Sequence, residues 1–117
     1  MNTKQTVESY FDRLKRKDDW RRFFSDRVTF TSFTSPVRKV TGRDMFLEAT
    51  KRFYSTIGEV EVRDVLVDGD RACALTHYRL QRPDGVAIES DVAEIFEVKD
   101  GRIDSFSIYF DTAPFPK

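Results

Sequence analysis

The segment VAEIFEVKDGRI, from Val92 to Ile103, decides the fold because it contains a strand, a tight turn and the start of another strand. The dipeptide Asp100-Gly101 is typical of a two-residue hairpin turn. Because successive side chains of a strand point to opposite faces, Glu94 shares a face with apolar neighbours. These neighbours are Val92, Phe96 and Val98. A buried carboxylate without a partner is unfavourable and tends to retain its proton. Glu94 is therefore either a surface residue or the polar group of a pocket.

The pattern of this segment extends over the whole second half of the chain. Two further turns, at Asp68-Gly69 and Asp84-Gly85, separate stretches of alternating polar and apolar residues. Regular alternation between Asp-Gly turns indicates antiparallel hairpins. We therefore expect four long antiparallel strands between residues 59 and 111.

The first half of the chain carries helical patterns around one short strand. Apolar spacing predicts a helix over 3–16, a short second helix over 18–24 with Phe23 and Phe24 turned inward, and a third helix over 43–57. Residues 27–33 alternate as a strand, and residues 34–42 are predicted to be a loop. The expected buried stripe of the third helix is Phe46, Ala49, Phe53 and Ile57. The predicted fold is one α+β domain over 1–117, in which a curved antiparallel or mixed sheet wraps around three helices.

Composition and charge argue against several classes of partner. The chain has 20 basic and 20 acidic residues, so no net charge attracts it to nucleic acid or to a membrane surface. The basic run over 13–22 contains two aspartates and is interpreted as a solvated helix end. No apolar run predicts a signal peptide or a membrane span, and Cys73 is the single cysteine. We therefore expect a cytoplasmic protein that uses neither a metal nor another cofactor.

The order of elements, together with FEVKDGRI and the terminal YFD, resembles the SnoaL-like group of the nuclear-transport-factor-two-like superfamily. The resemblance covers essentially the full length. It implies a cone-shaped barrel, in which the curved sheet is closed by helices around a deep apolar pocket. It also implies a homodimer, often formed through the outer faces of the sheets. Members include isomerases, cyclases, dehydratases, epoxide hydrolases and binders without catalytic activity, so the fold alone does not define the reaction.

Comparison with the steroid isomerases of this superfamily singles out Tyr10 and Glu94. In those enzymes a Tyr of the first helix and an acid on the strand before the last turn hold a developing oxyanion. The matching residues are Tyr10 in ESYFDRL and Glu94 in VAEIFEV, with Glu replacing Asp. The isomerases also use an Asp base, whose position here falls near Ser32. A hydroxyl does not shuttle protons near neutral pH without a base of its own, so the isomerase pattern is incomplete.

Other enzyme patterns of the superfamily match less well. The limonene-epoxide-hydrolase type requires an Arg and two Asp residues, and the matching positions hold Tyr78, Leu80 and Ile108. The scytalone-dehydratase type uses two histidines, whereas this chain has only His77. Polyketide cyclases use an Asp near the last strand, for which Asp111 is the candidate. His77 and Cys73 alternate away from the expected pocket, so we assign them to the outer face or an interface.

These observations leave two hypotheses for function. In the first, Tyr10 and Glu94 act on a small hydrophobic ligand by proton transfer, as in isomerisation, cyclisation or dehydration. In the second, the chain is a dimeric binding or scaffold module without catalysis, and Glu94 is a structural acid held by Tyr10, Tyr78 or an Arg. The expected ligand-binding residues are Phe30, Ser32, Thr76, Tyr78, Phe96, Phe106 and Ile108.

Overall fold

A computed structural model describes residues 1–115 as one curved six-stranded sheet with two α-helices. The helices are α1 (Thr3–Lys15) and α2 (Arg43–Thr56). The strands are β1 (Phe24–Ser32), β2 (Arg38–Thr41), β3 (Ile57–Asp68), β4 (Arg71–Gln81), β5 (Ala87–Lys99) and β6 (Arg102–Phe110). The predicted class, an α+β domain, is confirmed.

The strands follow the order β2-β1-β6-β5-β4-β3 across the sheet. β1 runs parallel to β6, and every other neighbouring pair is antiparallel. The Asp-Gly turns join β3 to β4, β4 to β5 and β5 to β6, so the three hairpins expected from the sequence are present. Asp100 and Gly101 both have positive φ, 52° and 73°, as the turn between β5 and β6 requires.

Two predictions for the first half were wrong. The expected second helix is a single 3-10 turn over Trp20–Phe23, preceded by Asp19 at a φ of 50° without a side-chain cap. Phe24 already belongs to β1, although Phe23 and Phe24 are both buried as expected. The loop predicted over 34–42 contains β2, which pairs with the end of β1. In β2 only Val40 is partly buried and the other three residues are exposed. The strand therefore lacks the alternation of apolar and polar residues by which a strand is recognised in a sequence.

Aromatic side chains fill the space between the helices and the concave face of the sheet. Phe24, Phe46, Phe96 and Tyr10 are completely buried, and Phe96 stacks on Phe106 with ring centres 4.9 Å apart. Burial of rings of this size contributes most of the hydrophobic stabilisation of a small domain. Within residues 1–115, no helix is long and apolar enough to cross a membrane.

Candidate functional site: a cavity with one buried acid

An apolar cavity of about 300 Å³ lies between α2 and the concave face of the sheet. Its buried walls are largely apolar and include Phe30, Leu80, Val92 and Phe106. Its exposed rim comes from the segment between β1 and β2, and Phe115 lies beside Phe110 in its wall. A mostly apolar cavity with a few polar groups is typical of a site for a small molecule.

Glu94 is the single carboxylic acid among the described residues that line this cavity. It is only 2% exposed and shares its row with three buried neighbours, as alternation on β5 predicts. Thr76 Oγ1 and Tyr78 Oη both donate hydrogen bonds to Glu94 Oε2, each over 2.8 Å. Burial raises the pKa of Glu94 from its ordinary 4.5 to about 7, and the two hydroxyl donors limit this rise because they favour the ionised form.

The second carboxyl oxygen of Glu94 is available to a ligand. Both hydrogen bonds within residues 1–115 go to Oε2, whereas Oε1 has no protein donor. Oε1 therefore has no hydrogen-bond donor within residues 1–115, and Glu94 is one of the residues that line the cavity. With a pKa of about 7, the carboxyl group is present in both protonation states near neutral pH. It can therefore either donate or accept a proton at Oε1.

A pair of tyrosines supplies the second polar group of the cavity. Tyr10 Oη and Tyr54 Oη lie 2.6 Å apart, and Tyr54 lines the cavity while Tyr10 lies behind it, completely buried. Within residues 1–115, the Tyr10 hydroxyl is paired with that of Tyr54. A buried hydroxyl hydrogen needs an acceptor, so Tyr10 is assigned as the donor and Tyr54 as the acceptor. The hydrogen of Tyr54 is then free to point into the cavity. Burial raises the pKa of both phenols, which keeps them protonated as donors.

The aromatic neighbours of Tyr54 hold its ring in place. Its ring stacks on Trp20 with centres 3.9 Å apart, and the guanidinium of Arg21 lies 4.6 Å from the Trp20 ring. On the other side of Tyr54 lies a second depression of about 550 Å³, lined by charged residues such as Arg21, Asp44 and Glu48. The charged lining of that depression makes the cavity beside Glu94 the better candidate for an apolar ligand.

The structure brings most of the predicted site residues to the cavity, but not all. Besides Glu94, the cavity is lined by five of the residues expected to bind ligand: Phe30, Ser32, Tyr78, Phe106 and Ile108. Thr76 is not part of the wall and instead holds Glu94, and Phe96 packs in the core against Tyr10. Tyr10 reaches the cavity only through Tyr54, a residue that the sequence reasoning missed.

The outer face of the sheet carries the single histidine. As predicted, His77 points away from the cavity; its Nδ1 lies 2.7 Å from Asp91 Oδ1 and its Nε2 lies 3.0 Å from Glu89 Oε1. These two carboxylates raise the pKa of the imidazole. His77 and Cys73 therefore do not take part in the cavity.

Fold and site together define an α+β domain whose curved sheet and helices enclose an apolar cavity, the architecture of nuclear-transport-factor-two-like proteins. A family model described as "SnoaL-like domain" matches residues 7–106, and the chain therefore belongs to the SnoaL-like domain family. The resemblance inferred from the sequence is thereby confirmed. No curated protein matches the sequence significantly.

Solved structures share this fold at low sequence identity. An LEH-like epoxide hydrolase of Mycobacterium tuberculosis is 22% identical with a TM-score of 0.76, over 94% of this chain and 83% of that one. The epoxide hydrolase/cyclase-like enzyme SalBIII, which has a role in pyran ring formation in the polyether salinomycin, is 16% identical with a TM-score of 0.83, over 96% and 92%. An NTF2-like protein of unknown function from Burkholderia pseudomallei is 20% identical with a TM-score of 0.80, over 97% and 93%. At these identities the similarity establishes the fold alone.

Proposed function

We propose that the chain binds a small apolar molecule with a carbonyl or hydroxyl oxygen in the cavity, and that Glu94 transfers a proton on that molecule. The observation that supports this proposal most directly is a buried acid in the cavity wall whose pKa is about 7 and whose Oε1 has no donor within residues 1–115. Such a group removes a proton as carboxylate and returns it as carboxylic acid near neutral pH. The proposal places the chain among proton-transfer enzymes of the isomerase, cyclase or dehydratase type.

The proposed reaction step is removal of a hydrogen from the carbon next to a carbonyl group. Glu94 Oε1 takes the proton, the carbon–hydrogen bond breaks, and its electron pair moves onto the carbonyl oxygen as an enolate. The Tyr54 hydroxyl donates a hydrogen bond to this oxygen, and Tyr10 supports Tyr54 by donating to it in turn. A fixed donor at the position of developing charge stabilises the transition state. Return of the proton from Glu94 to another atom completes an isomerisation.

Epoxide-hydrolase chemistry is not part of the proposal, although relatives with that description share the fold. Tyr78, Leu80 and Ile108, the residues at the matching positions, all line the cavity, but they do not provide the Arg and the two Asp residues. The wall at Ser32 likewise holds no base. Glu94 is therefore assigned both the removal and the return of the proton.

Hydrogen exchange of a model ketone tests this proposal without knowledge of the natural substrate. The probe is 2-tetralone in deuterated buffer, with incorporation of deuterium beside its carbonyl followed by NMR. We expect exchange in the presence of the wild-type protein to be at least about tenfold faster than with Glu94→Gln, and to rise with pH through about 7 as the carboxylate forms. Glu97→Gln is the matched control, because it removes the same charge from the exposed face of the same strand.

The second candidate is a binding module without catalysis, favoured by the lack of a carboxylate at Ser32. That alternative predicts saturable binding of bicyclic ketones to the wild-type protein. It also predicts that deuterium exchange of 2-tetralone is no faster with the wild type than with Glu94→Gln. If neither 2-tetralone nor larger fused-ring ketones bind, the small-molecule proposal is contradicted as a whole.

A further inference from the structure

We propose that Arg38 binds a carboxylate on the ligand, so that the molecules taken by the cavity are apolar acids with a carbonyl or hydroxyl group at the opposite end. This inference rests on the proposed function, since it uses the same cavity. It adds the chemical class of the ligand and assigns a specificity-determining residue at the cavity mouth.

One transverse row of the sheet joins Arg38 to Glu94. The strand pairing aligns Arg38 on β2 with Ser32 on β1, Ser32 with Ile108 on β6, and Ile108 with Glu94 on β5. Residues that are directly opposite on neighbouring strands point to the same face of a sheet. All four line the cavity, so the row extends along the cavity wall from one polar end to the other.

The two ends of this row differ in exposure and in charge. Glu94 is buried at the inner end, whereas Arg38 is exposed at the rim. Between them stand the hydroxyl of Ser32 and the apolar side chain of Ile108. Three strand spacings separate the ends, at most about 14 Å between Cα atoms along the sheet. A rigid molecule of two fused rings is long enough to reach both side chains.

Arg38 is the single cationic side chain among the described residues of the cavity wall, and it has no ion-pair partner within residues 1–115. Other arginines near the sheet edge are paired: Arg27 with Asp104 over 3.3 Å and Arg43 with Asp26 over 3.0 Å. A guanidinium offers two parallel donors that match a carboxylate. The donors of Arg38 are therefore available to an anionic group at the rim of an otherwise apolar cavity.

The polarity of the cavity also fixes the direction in which such a ligand enters. An ionised carboxylate is strongly disfavoured in an apolar interior, so it stays at the exposed rim. The apolar body then lies against Phe30 and Phe106, and the oxygen at the far end reaches Glu94 and Tyr54. Arg38 thus orients the ligand for the proposed proton transfer.

A matched pair of probes tests the proposal by isothermal titration calorimetry. The acid is 2-tetralone-6-carboxylic acid, and its methyl ester has the same rings and ketone without the charge. At low ionic strength, we expect the wild type to bind the acid roughly three- to tenfold more tightly than the ester. Arg38→Gln should abolish this preference by weakening binding of the acid more than binding of the ester, and Arg38→Lys should retain part of the preference as a point charge.

Lys39→Gln provides the control, because Lys39 carries the same charge on the same strand and alternates to the opposite face. It should leave the preference for the acid unchanged. Equal binding of acid and ester to the wild type, or an unchanged preference in Arg38→Gln, would overturn the role of Arg38 alone. Exchange of 2-tetralone that depends on Glu94 would then still support the proposed function. If neither probe binds and exchange of 2-tetralone does not depend on Glu94, both proposals fail.

Discussion

At the scale of single residues, the pKa of Glu94 reflects two opposing effects in one small volume. Burial among apolar neighbours disfavours the carboxylate, whereas the hydroxyls of Thr76 and Tyr78 stabilise it. Thr76 Oγ1 also lies 3.0 Å from the carbonyl oxygen of Val92, and it has only one hydrogen to donate. This hydroxyl can donate to Oε2 while Glu94 is ionised, and can turn to the Val92 carbonyl when Oε1 holds the proton. Such an arrangement supports both protonation states that proton transfer requires.

The first prediction is that the stability of Glu94→Gln relative to the wild type rises with pH. Because the pKa of Glu94 is raised from 4.5 to about 7, the folded state binds more protons than the unfolded state between these values. The contribution of the Glu94 carboxyl group to the free energy of unfolding is therefore fully present below pH 4.5 and is lost as the pH rises through 7. We expect the variant to gain about 3 kcal/mol relative to the wild type between pH 4 and pH 8, measured by urea unfolding. A difference between the two proteins that stays constant over this range would contradict the raised pKa.

The second prediction separates the two tyrosines. Tyr54→Phe removes the hydroxyl that lines the cavity, so it should slow 2-tetralone exchange at least about tenfold. Tyr10→Phe removes a donor behind it and should have a smaller effect, because the Tyr54 hydroxyl remains in place. Equal losses in both variants with unchanged affinity, or no loss in Tyr54→Phe, would argue against this division of roles.

At the scale of secondary-structure elements, local patterns predicted the hairpins and the inward direction of Glu94 and Tyr78. They did not predict the position of Tyr54, although Phe46, Thr50, Tyr54 and Ile57 also recur at helical spacing on α2 and the start of β3. Ala49 and Phe53 of the predicted stripe line the cavity together with Thr50 and Tyr54. How far the cavity extends around α2 depends on the packing of this helix against β1 and β2. Arg38 was missed because β2 was predicted to be a loop. This strand forms through its pairing with β1, and the pattern of residues within β2 does not indicate that pairing.

The third prediction concerns the cap of α1, the helix that carries Tyr10. The side chain of Asn2 accepts a hydrogen bond from the backbone N–H of Gln5 over 2.8 Å, and the Gln5 side chain accepts one from the backbone N–H of Asn2 over 3.0 Å. Asn2→Ala removes one of these bonds and should lower the free energy of unfolding by about 1 kcal/mol, measured by urea denaturation. Asn2→Asp keeps a side-chain acceptor and should retain most of the stability. Equal losses in both variants would show that the acceptor is not the cause.

At the scale of the whole molecule, the outer face of the sheet exposes an apolar area. Phe33, Leu66, Leu75 and Tyr109 are between 42% and 56% exposed, and Phe33 stacks on Tyr109 with ring centres 5.0 Å apart. Large apolar side chains grouped on one face are typical of a surface that another protein covers. The expected homodimer would place this face against its copy in a partner subunit.

The fourth prediction follows for the oligomeric state. Sedimentation at micromolar concentration should give twice the chain mass of 13.7 kDa for the wild type. Leu75→Glu should give the mass of one chain, because it introduces a charge into the centre of the apolar face. Val86→Glu is the control, since Val86 is 52% exposed beside the turn between β4 and β5 and lies away from that face. A wild type that sediments as a monomer would contradict the dimer.

The central claim is that Glu94 is a cavity acid that changes protonation near neutral pH, and the most direct test is its own titration. The chemical shift of the Glu94 carboxyl carbon can be followed by NMR in protein labelled at glutamate, with Glu94→Gln assigning the signal. We predict a midpoint near pH 7. A midpoint near 4.5 would show that Glu94 is an ordinary ionised carboxylate at neutral pH, and would contradict its proposed role in proton transfer.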